Sequence, residues 1–382
     1  MKNEPSPQTG KRHKKTLLIL LPVIFALLAF VIFTACYTGE RMGKLPENTK
    51  EWEILPNYKN GHFLNEEPTH FNAKKAAKKT GMFRFLFVSD NAPQTFDIPQ
   101  ITFEKSFFAE KPVPDGINVY WLGHSSLIFE LCGIRFMTDP VFGNAAPVPF
   151  AVKRYCEPPM KRDQIPPLDF LLISHDHYDH LEYSTIRALR KSDFPIVTAL
   201  GVGARLRGWG IAPERIHELN WNDSVSLNGT TITAVTARHF SGRTLSDRNE
   251  TLWAAWIIER GGKKIFFGGD GGYGRHFSEI GSKHGPFDLA CLEIDAWNDR
   301  WKNHHLFPHQ FPLAIADLNA EYAMPIHWGV FDLAMHPWKE SISLVTKEAD
   351  RTGLKMITPL MGQKFTVGKD RSERWWEPLP ER

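Results

Sequence analysis

The sequence predicts an α/β protein in which two β-sheets pack together and helices cover their outer faces, preceded by one apolar N-terminal helix. Three observations carry this expectation. From residue 115 onward, short apolar runs rich in β-branched and aromatic residues are separated by turn residues. Helical patterns are interspersed among these runs instead of forming a block of their own. The first forty residues, by contrast, hold one long apolar stretch behind a basic flank. A chain of 382 residues with 12% aromatic and 23% charged residues can bury a large core and lacks the composition of a disordered one.

The elements follow in order. Residues 117–122, 126–131, 134–138 and 170–174 read as strands. Residues 224–237 read as a hairpin turning at Asn228-Gly229, and residues 253–268 as another turning at Gly261-Gly262, because these dipeptides accept the positive φ of a two-residue turn. Helices are expected at 184–191 and 312–319.

Residues 1–16 are a basic flank, with Lys2, Lys11, Arg12, Lys14 and Lys15 set against Glu4. The net charge of +3 is therefore concentrated there, and the near-neutral remainder offers no basic footprint for nucleic acid. Residues 17–36 are almost wholly apolar, close to the roughly 20 residues that span a bilayer. The flank predicts a cytoplasmic N-terminus with the body on the far side, periplasmic in a bacterium. Phe33-Thr34-Ala35-Cys36 is also similar to a weakened lipoprotein box, in which Cys36 would be lipidated; simple secretion is the third option. All three export the body.

Residues 37–114 read as a linker and N-terminal extension. In it, a basic run at 73–79 leads into an apolar stretch at 83–87, fitting either a lipid-facing helix or a solvated face. The folded domain is expected at 115–370 and a tail at 371–382. Cys36, Cys132, Cys156 and Cys291 are scattered without a CxxC pair, so they indicate neither a disulfide framework nor a thiolate metal site.

The chemistry concentrates in His175-Asp176-His177-Tyr178-Asp179-His180, where an apolar strand runs into a polar loop and then a helix. His175 and His177, two apart in extended backbone, point the same way and can share one metal ion. Asp179 and His180 follow at the turn, within reach of a second. A His-rich surface loop would require nothing elsewhere in the chain. Yet His239, Asp270 and His327 each follow an apolar run. Imidazole and carboxylate without thiolate suit zinc, and manganese or iron can take the same donors.

This pattern resembles the metallo-β-lactamase superfamily in its dinuclear hydrolase form. The resemblance implies an αββα sandwich of two mixed β-sheets flanked by helices. It also implies two ions per chain, with His175, His177 and His239 on one, Asp179, His180 and His327 on the other, and Asp270 between them. Resemblance is closer still to the N-acylphosphatidylethanolamine-hydrolysing phospholipase D family. It is carried by Trp121-Leu122-Gly123-His124-Ser125-Ser126, Thr138-Asp139-Pro140, Gly269-Asp270-Gly271-Gly272-Tyr273, Gly285-Pro286-Phe287-Asp288-Leu289 and Ile326-His327-Trp328-Gly329. Together with the His/Asp loop these span most of residues 115–335, and Gly61-His62-Phe63-Leu64-Asn65 is similar more weakly. The segment 303–312 departs from the family's pattern; His309, three residues before Pro312, is matched there to the family's His before that Pro.

The expected activity is thus a phosphodiesterase of phospholipase D type, acting on N-acylphosphatidylethanolamine or a related phospholipid. A hydroxide shared by two ions about 3.5 to 4 Å apart would attack phosphorus, with Asp179 and Asp270 as the carboxylates taking part. His124 and His309 are expected at the substrate, His124 alternatively as the partner that orients a metal ligand and His309 also as a proton donor; packing is the remaining alternative for His124 and a solvated loop for His309. Trp297, Trp301, Trp328 and Phe331 are candidates for an apolar entrance, with core packing as the alternative. His304, His305 and His336 read as structural or exposed. Other phosphodiesters, esters or lactones fit the same metal chemistry. A non-catalytic, metal-stabilised envelope protein is the reading from another class, and turnover of a generic phosphodiester separates it from the enzymes.

Overall fold

The computed structural model describes residues 9–69, 96–104, 106–148 and 150–381, with the side chains of residues 9–24 and 27 left aside. The basic run at 73–79 and the apolar stretch at 83–87 lie outside the described residues. The chain opens with helix α1 (Thr9–Met42) and a short hairpin of β1 (Tyr58–Lys59) and β2 (His62–Phe63). The body begins with β3 (Ile117–Trp121), β4 (Leu127–Leu131), β5 (Ile134–Thr138) and β6 (Phe170–Ile173). It continues through α2 (Tyr183–Ala188), β7 (Ile196–Ala199), α3 (Gly203–Gly208), β8 (Ile216–Leu219), β9 (Ser224–Leu227), β10 (Thr230–Val235), β11 (Ala255–Arg260) and β12 (Lys263–Phe267). The last elements are α4 (His276–His284), β13 (Phe287–Glu293), α5 (Phe311–Leu318), β14 (Ala320–Ile326), α6 (Glu340–Thr352) and β15 (Lys364–Thr366).

Two mixed sheets result, in the order β15-β3-β4-β5-β6-β7-β8 and β14-β13-β12-β11-β10-β9. In the first, β15 to β5 pair antiparallel and β5 to β8 parallel. In the second, β9 to β12 are antiparallel and β12 to β14 parallel. Helix α5 packs on β13 and β14, and α3 on β8. Both glycine turns close two-residue loops, with Leu227 opposite Thr230 and Arg260 opposite Lys263. Asn228 at φ 50° and Gly261 at φ 58° take the left-handed conformation these turns require.

β3 to β6 are buried along their whole length, which is why they read as continuous apolar runs without alternation. Phe129, Phe136 and Phe170 face one another across β4, β5 and β6, stacked at 4.9 and 4.7 Å. The region set apart as a tail is part of this body: Trp376 is buried and Trp375 stacks on Trp328 at 5.5 Å. Two large aromatic rings gain more by covering the core than a solvated tail would allow.

The N-terminal helix does not stop at Cys36 but runs to Met42, because its last carbonyls find donors on the domain. Trp209 Nε1 donates to Glu40 O (2.7 Å), Arg205 to Met42 O (2.7 Å), and Arg243 to Arg41 O through Nε and an Nη. Helix ends leave such carbonyls unpaired, so the domain itself caps α1. Among the described residues no helix is long and apolar enough to cross a membrane. Much of the expected membrane segment at 17–36 falls on residues whose side chains are not described.

Phe136 is fully buried within the aromatic ladder. Phe136→Ala is expected to lower stability by about 3–5 kcal/mol through lost transfer energy plus a cavity. A urea titration checks this; a loss under about 1 kcal/mol would mean that the ladder does not tie the central strands together.

Candidate metal centre

Strand direction delivers the ligating side chains to one edge. β10, β12 and β14 run the same way, since β11 is antiparallel to its two neighbours and β12 to β14 are parallel. His239, Asp270 and His327 lie just beyond their C-terminal ends. In the other sheet β5 and β6 are parallel, and their ends supply Asp139 and the loop from His175 to His180. Each apolar strand is thus a rigid stalk carrying a polar head. Gly269 makes this approach possible: it sits at φ 56°, and a Cβ there would come within 2.7 Å of the Ser174 side chain.

The heads converge in adjoining groups. His175 Nε2 and His239 Nε2 lie 2.8 and 3.2 Å from His177 Nδ1, and Asp270 Oδ2 lies 3.7 Å from His239 Nε2. Asp179 Oδ2 lies 2.9 Å from His124 Nε2, 3.2 Å from His327 Nε2 and 3.5 Å from His180 Nε2. Asp270 joins the two groups, with Oδ1 3.2 Å from His180 Nε2 and Oδ2 3.0 Å from His327 Nε2. In each set of four the ligand atoms lie within 4.8 Å of one another, and a third such set links Asp270 and His327 to His305.

The surroundings decide which ring nitrogen faces inward. His239 Nδ1–H donates to the His304 carbonyl (2.9 Å) and His180 Nδ1–H to Asp139 Oδ2 (2.7 Å). His175 Nδ1–H donates to Ser174 Oγ (2.9 Å), whose hydroxyl passes the bond on to Asp139 Oδ2 (2.6 Å). With Nδ1 so occupied, Nε2 of all three is the nitrogen that would offer its lone pair to a metal ion at the centre. Asn65, from the N-terminal extension, takes both backbone groups of His239: its Nδ2 donates to the carbonyl and its Oδ1 accepts the amide. Asp176, between the two first ligands, is bridged by Arg205, which also pairs with Asp247 at 2.8 Å. Arg243 donates to the carbonyls of Asp176 and Leu181. These fully buried charges hold the ligand loop from behind.

Electrostatics show that the set suits cations. Burial holds His175 and His239 well below the usual imidazole range and His177 at about 4, so these rings are neutral at physiological pH. Burial would also lower His327, but the carboxylates of Asp270 and Asp179 outweigh it and raise it to about 10. His180 is raised in the same way. Burial pushes Asp179 and Asp270 up, and the neighbouring imidazoles more than reverse this, so both stay ionised. Two buried carboxylates therefore demand positive charge at this spot. His180 Nε2, His327 Nε2 and Asp270 Oδ1 are buried without an aligned hydrogen bond despite their short separations. Metal ions would supply both the charge and the missing partners.

The beta-lactamase superfamily domain model matches residues 134–328, the span holding the whole cluster except His124. The chain belongs to this superfamily. It is a metal-dependent hydrolase of that fold, in which α-helices flank two mixed sheets. It is 36% identical over 336 residues to an uncharacterised protein of Mycobacterium tuberculosis, covering 85% of this chain and 88% of that one. It is 34% identical over 267 residues to N-acyl-phosphatidylethanolamine-hydrolyzing phospholipase D 1 of Caenorhabditis elegans, covering 65% and 75%. A metallo hydrolase of the archaeon Ignicoccus hospitalis shares the fold, with a TM-score of 0.52 at 19% identity, over 66% of this chain and 99% of that one.

Within this hydrolase fold the structure brings together His175, His177, Asp179, His180, His239, Asp270 and His327. His124 joins them from behind: it is buried, held at about 3 by burial and by His327, and its Nε2–H is spent on Asp179. Of the two roles expected for it, this contact fits the partner that orients a carboxylate. His309 is corrected. It is exposed on a turn at Pro308–Gln310, with its ring 6.0 Å from that of Phe307. His305, read as structural or exposed, takes the place at the centre, 8% exposed and 3.2 Å from the buried Glu293. The signal for it was present, since His305 also stands three residues before a proline, Pro308. Trp328 and Phe331 are core residues, while Trp297 is half-buried and stacked on His336 at 4.0 Å.

Asp270 belongs to one main group and touches His180 and His327 of the other, so Asp270→Asn is expected to lower bound metal from about two ions per chain to fewer than one. Elemental analysis of dialysed protein measures this, and chelation should lower the unfolding temperature of the wild type. Undiminished metal content in Asp270→Asn would remove that carboxylate from the centre.

Proposed function

We propose that this hydrolase is a membrane-tethered phosphodiesterase of phospholipase D type, cleaving N-acylphosphatidylethanolamine or a closely related phospholipid. The observation that carries the reading is the pair of adjoining ligand groups that Asp270 joins by contact, in a chain similar to the named phospholipase of Caenorhabditis elegans. His175, His177 and His239 would hold one ion, and Asp179, His180 and His327 the other, with Asp270 between them. Zinc is the proposed metal on its preference for imidazole and carboxylate, with manganese or iron as the competing ions. When bound, the two ions would supply a water activated near neutral pH and positive charge opposite the phosphoryl oxygens.

The chain's own residues do the rest. Hydrolysis adds the water oxygen to phosphorus and breaks the bond to the ethanolamine oxygen, which leaves with a proton as N-acylethanolamine, the other product being phosphatidic acid. His305 stands where that proton is needed, beside Asp270 and His327. Glu293 lies against its Nδ1 and also accepts the Leu306 amide at 2.8 Å, which fixes the ring. Asp179, held by His124, keeps its orientation toward the second group.

Membrane attachment is supported by α1, where Phe30, Val31, Ile32 and Phe33 are all exposed, so that every face of that turn is apolar. Leu245 is fully exposed on the loop that Arg243 ties to the end of α1. The proposed orientation puts the domain on the non-cytoplasmic side, with Cys36 lipidation as the alternative anchor. A reporter that functions only outside the cytoplasm, fused after Arg382, is expected to be active; labelling of the domain from the cytoplasmic side would reverse the orientation.

The substrate reading is tested with zinc-loaded protein and labelled N-acylphosphatidylethanolamine in mixed micelles, with products identified by mass spectrometry. Phosphatidic acid and N-acylethanolamine are expected. Free fatty acid alone would make the enzyme an acyl hydrolase, and turnover restricted to a small phosphodiester would end the lipid assignment. His305→Gln is expected to lower kcat by about 100-fold to 10,000-fold with metal content unchanged.

A further inference from the structure

We propose that a cavity at the foot of α1, outside the ligand groups of the metal centre, binds the phosphate of an anionic phospholipid; the inference rests on the membrane attachment proposed above. The cavity has a volume of about 190 Å³ and is lined from the helix by Tyr37 and Arg41 and from the domain by Asn144, Tyr178, Tyr183 and Ser184. It is therefore a composite site, which exists only because the helix runs past Cys36 and docks on the domain.

Charge points to the ligand. Arg162 and Arg243 also reach the cavity, but both are compensated. Arg162 is paired with Glu182, whose carboxylate also accepts the amides of Phe142 and Gly143. Arg243 is buried beside Arg205, and Asp176 and Asp247 balance that pair. Arg41 is different. Its guanidinium stacks on Tyr37 at 3.3 Å and faces Tyr183 at 4.9 Å, and among the described residues its one hydrogen bond goes to the Tyr37 carbonyl of its own helix. It has no carboxylate partner among the described residues. The two rings hold the planar fork with donors to spare, the arrangement that suits bidentate contact with a phosphate.

Depth points to the source of that phosphate. Tyr37 and Arg41 are two and six residues beyond Ala35, the end of the apolar run. At a helical rise of about 1.5 Å per residue they stand roughly 3 to 9 Å past it. That is the thickness of the headgroup layer on one side of a bilayer, about 5 to 8 Å. A helix anchor and a lipidated Cys36 both place these residues at that level. Tyrosine and arginine are also the side chains that settle at this interface.

The test uses the full chain in nanodiscs of phosphatidylcholine with or without phosphatidylglycerol, released for native mass spectrometry. Dihexanoyl phosphatidylglycerol and inorganic phosphate are titrated in parallel onto protein in neutral detergent. The wild type is expected to retain phosphatidylglycerol over phosphatidylcholine, Arg41→Gln to lose that retention at least tenfold, and Arg41→Lys to keep only part of it, since an ammonium keeps the charge but not the fork, with unfolding temperatures compared as a control on folding. Equal retention by wild type and Arg41→Gln, or equal retention of the two lipids, would overturn the proposal. Inorganic phosphate binding as tightly as the short-chain lipid would also overturn it, since the site would then recognise a free anion. Failure to enter nanodiscs would end the membrane reading instead. In that case the short-chain lipid decides the site alone: saturable binding weakened tenfold in Arg41→Gln supports it, and no binding ends it.

Discussion

Two carboxylates, Asp179 and Asp270, are buried among imidazoles at the edge where the two sheets meet, and the surrounding architecture answers to the charge they carry there. Buried ions are costly unless paired and hydrogen-bonded on every side. The strands that end at this edge are apolar along their length and polar only at the last step, so the core supplies rigidity and the edge supplies donors. Asp139 fixes His180 directly and His175 through Ser174, so one buried carboxylate sets the inward nitrogen of two ligands on different sides of the centre.

Outside that layer the N-terminal part of the chain is tied to the same loops. Asn65 holds the backbone of His239, while Arg205 and Arg243 hold both the loop around Asp176 and the last carbonyls of α1. Helix α1 and the loop around Asp176 are therefore joined through two buried guanidinium groups. The tether proposed above would need the site in a fixed relation to the surface, and these bonds would provide one from groups that have no role in the chemistry itself.

Much of the fold was legible because its signals are local. The glycine turns, the buried strands and the helices near 184–191 and 312–319 are each specified by a few adjacent residues, and the structure places elements at all of them. The boundaries at 37 and 371 were not legible. Helix α1 continues because distant Arg205, Trp209 and Arg243 cap it, and Trp375 and Trp376 return to the core. Spacing to the wrong proline drew attention to His309 over His305. Both stand three residues before a proline, and only the turn at Pro308–Gln310 shows that one faces solvent while the other faces Asp270 and His327.

The sequence by itself determined the kinds of donor and the stalks that carry them: histidine and aspartate without thiolate, each following a short apolar run, with a dense cluster after β6. It did so because strand propensity and ligand chemistry are properties of neighbouring residues. Only the tertiary structure decided which donors meet, which nitrogen each imidazole turns inward, and that His124 stands behind Asp179 while His305 stands beside Asp270. Those outcomes depend on strand direction and on hydrogen bonds between residues far apart in the chain, and no local pattern encodes them.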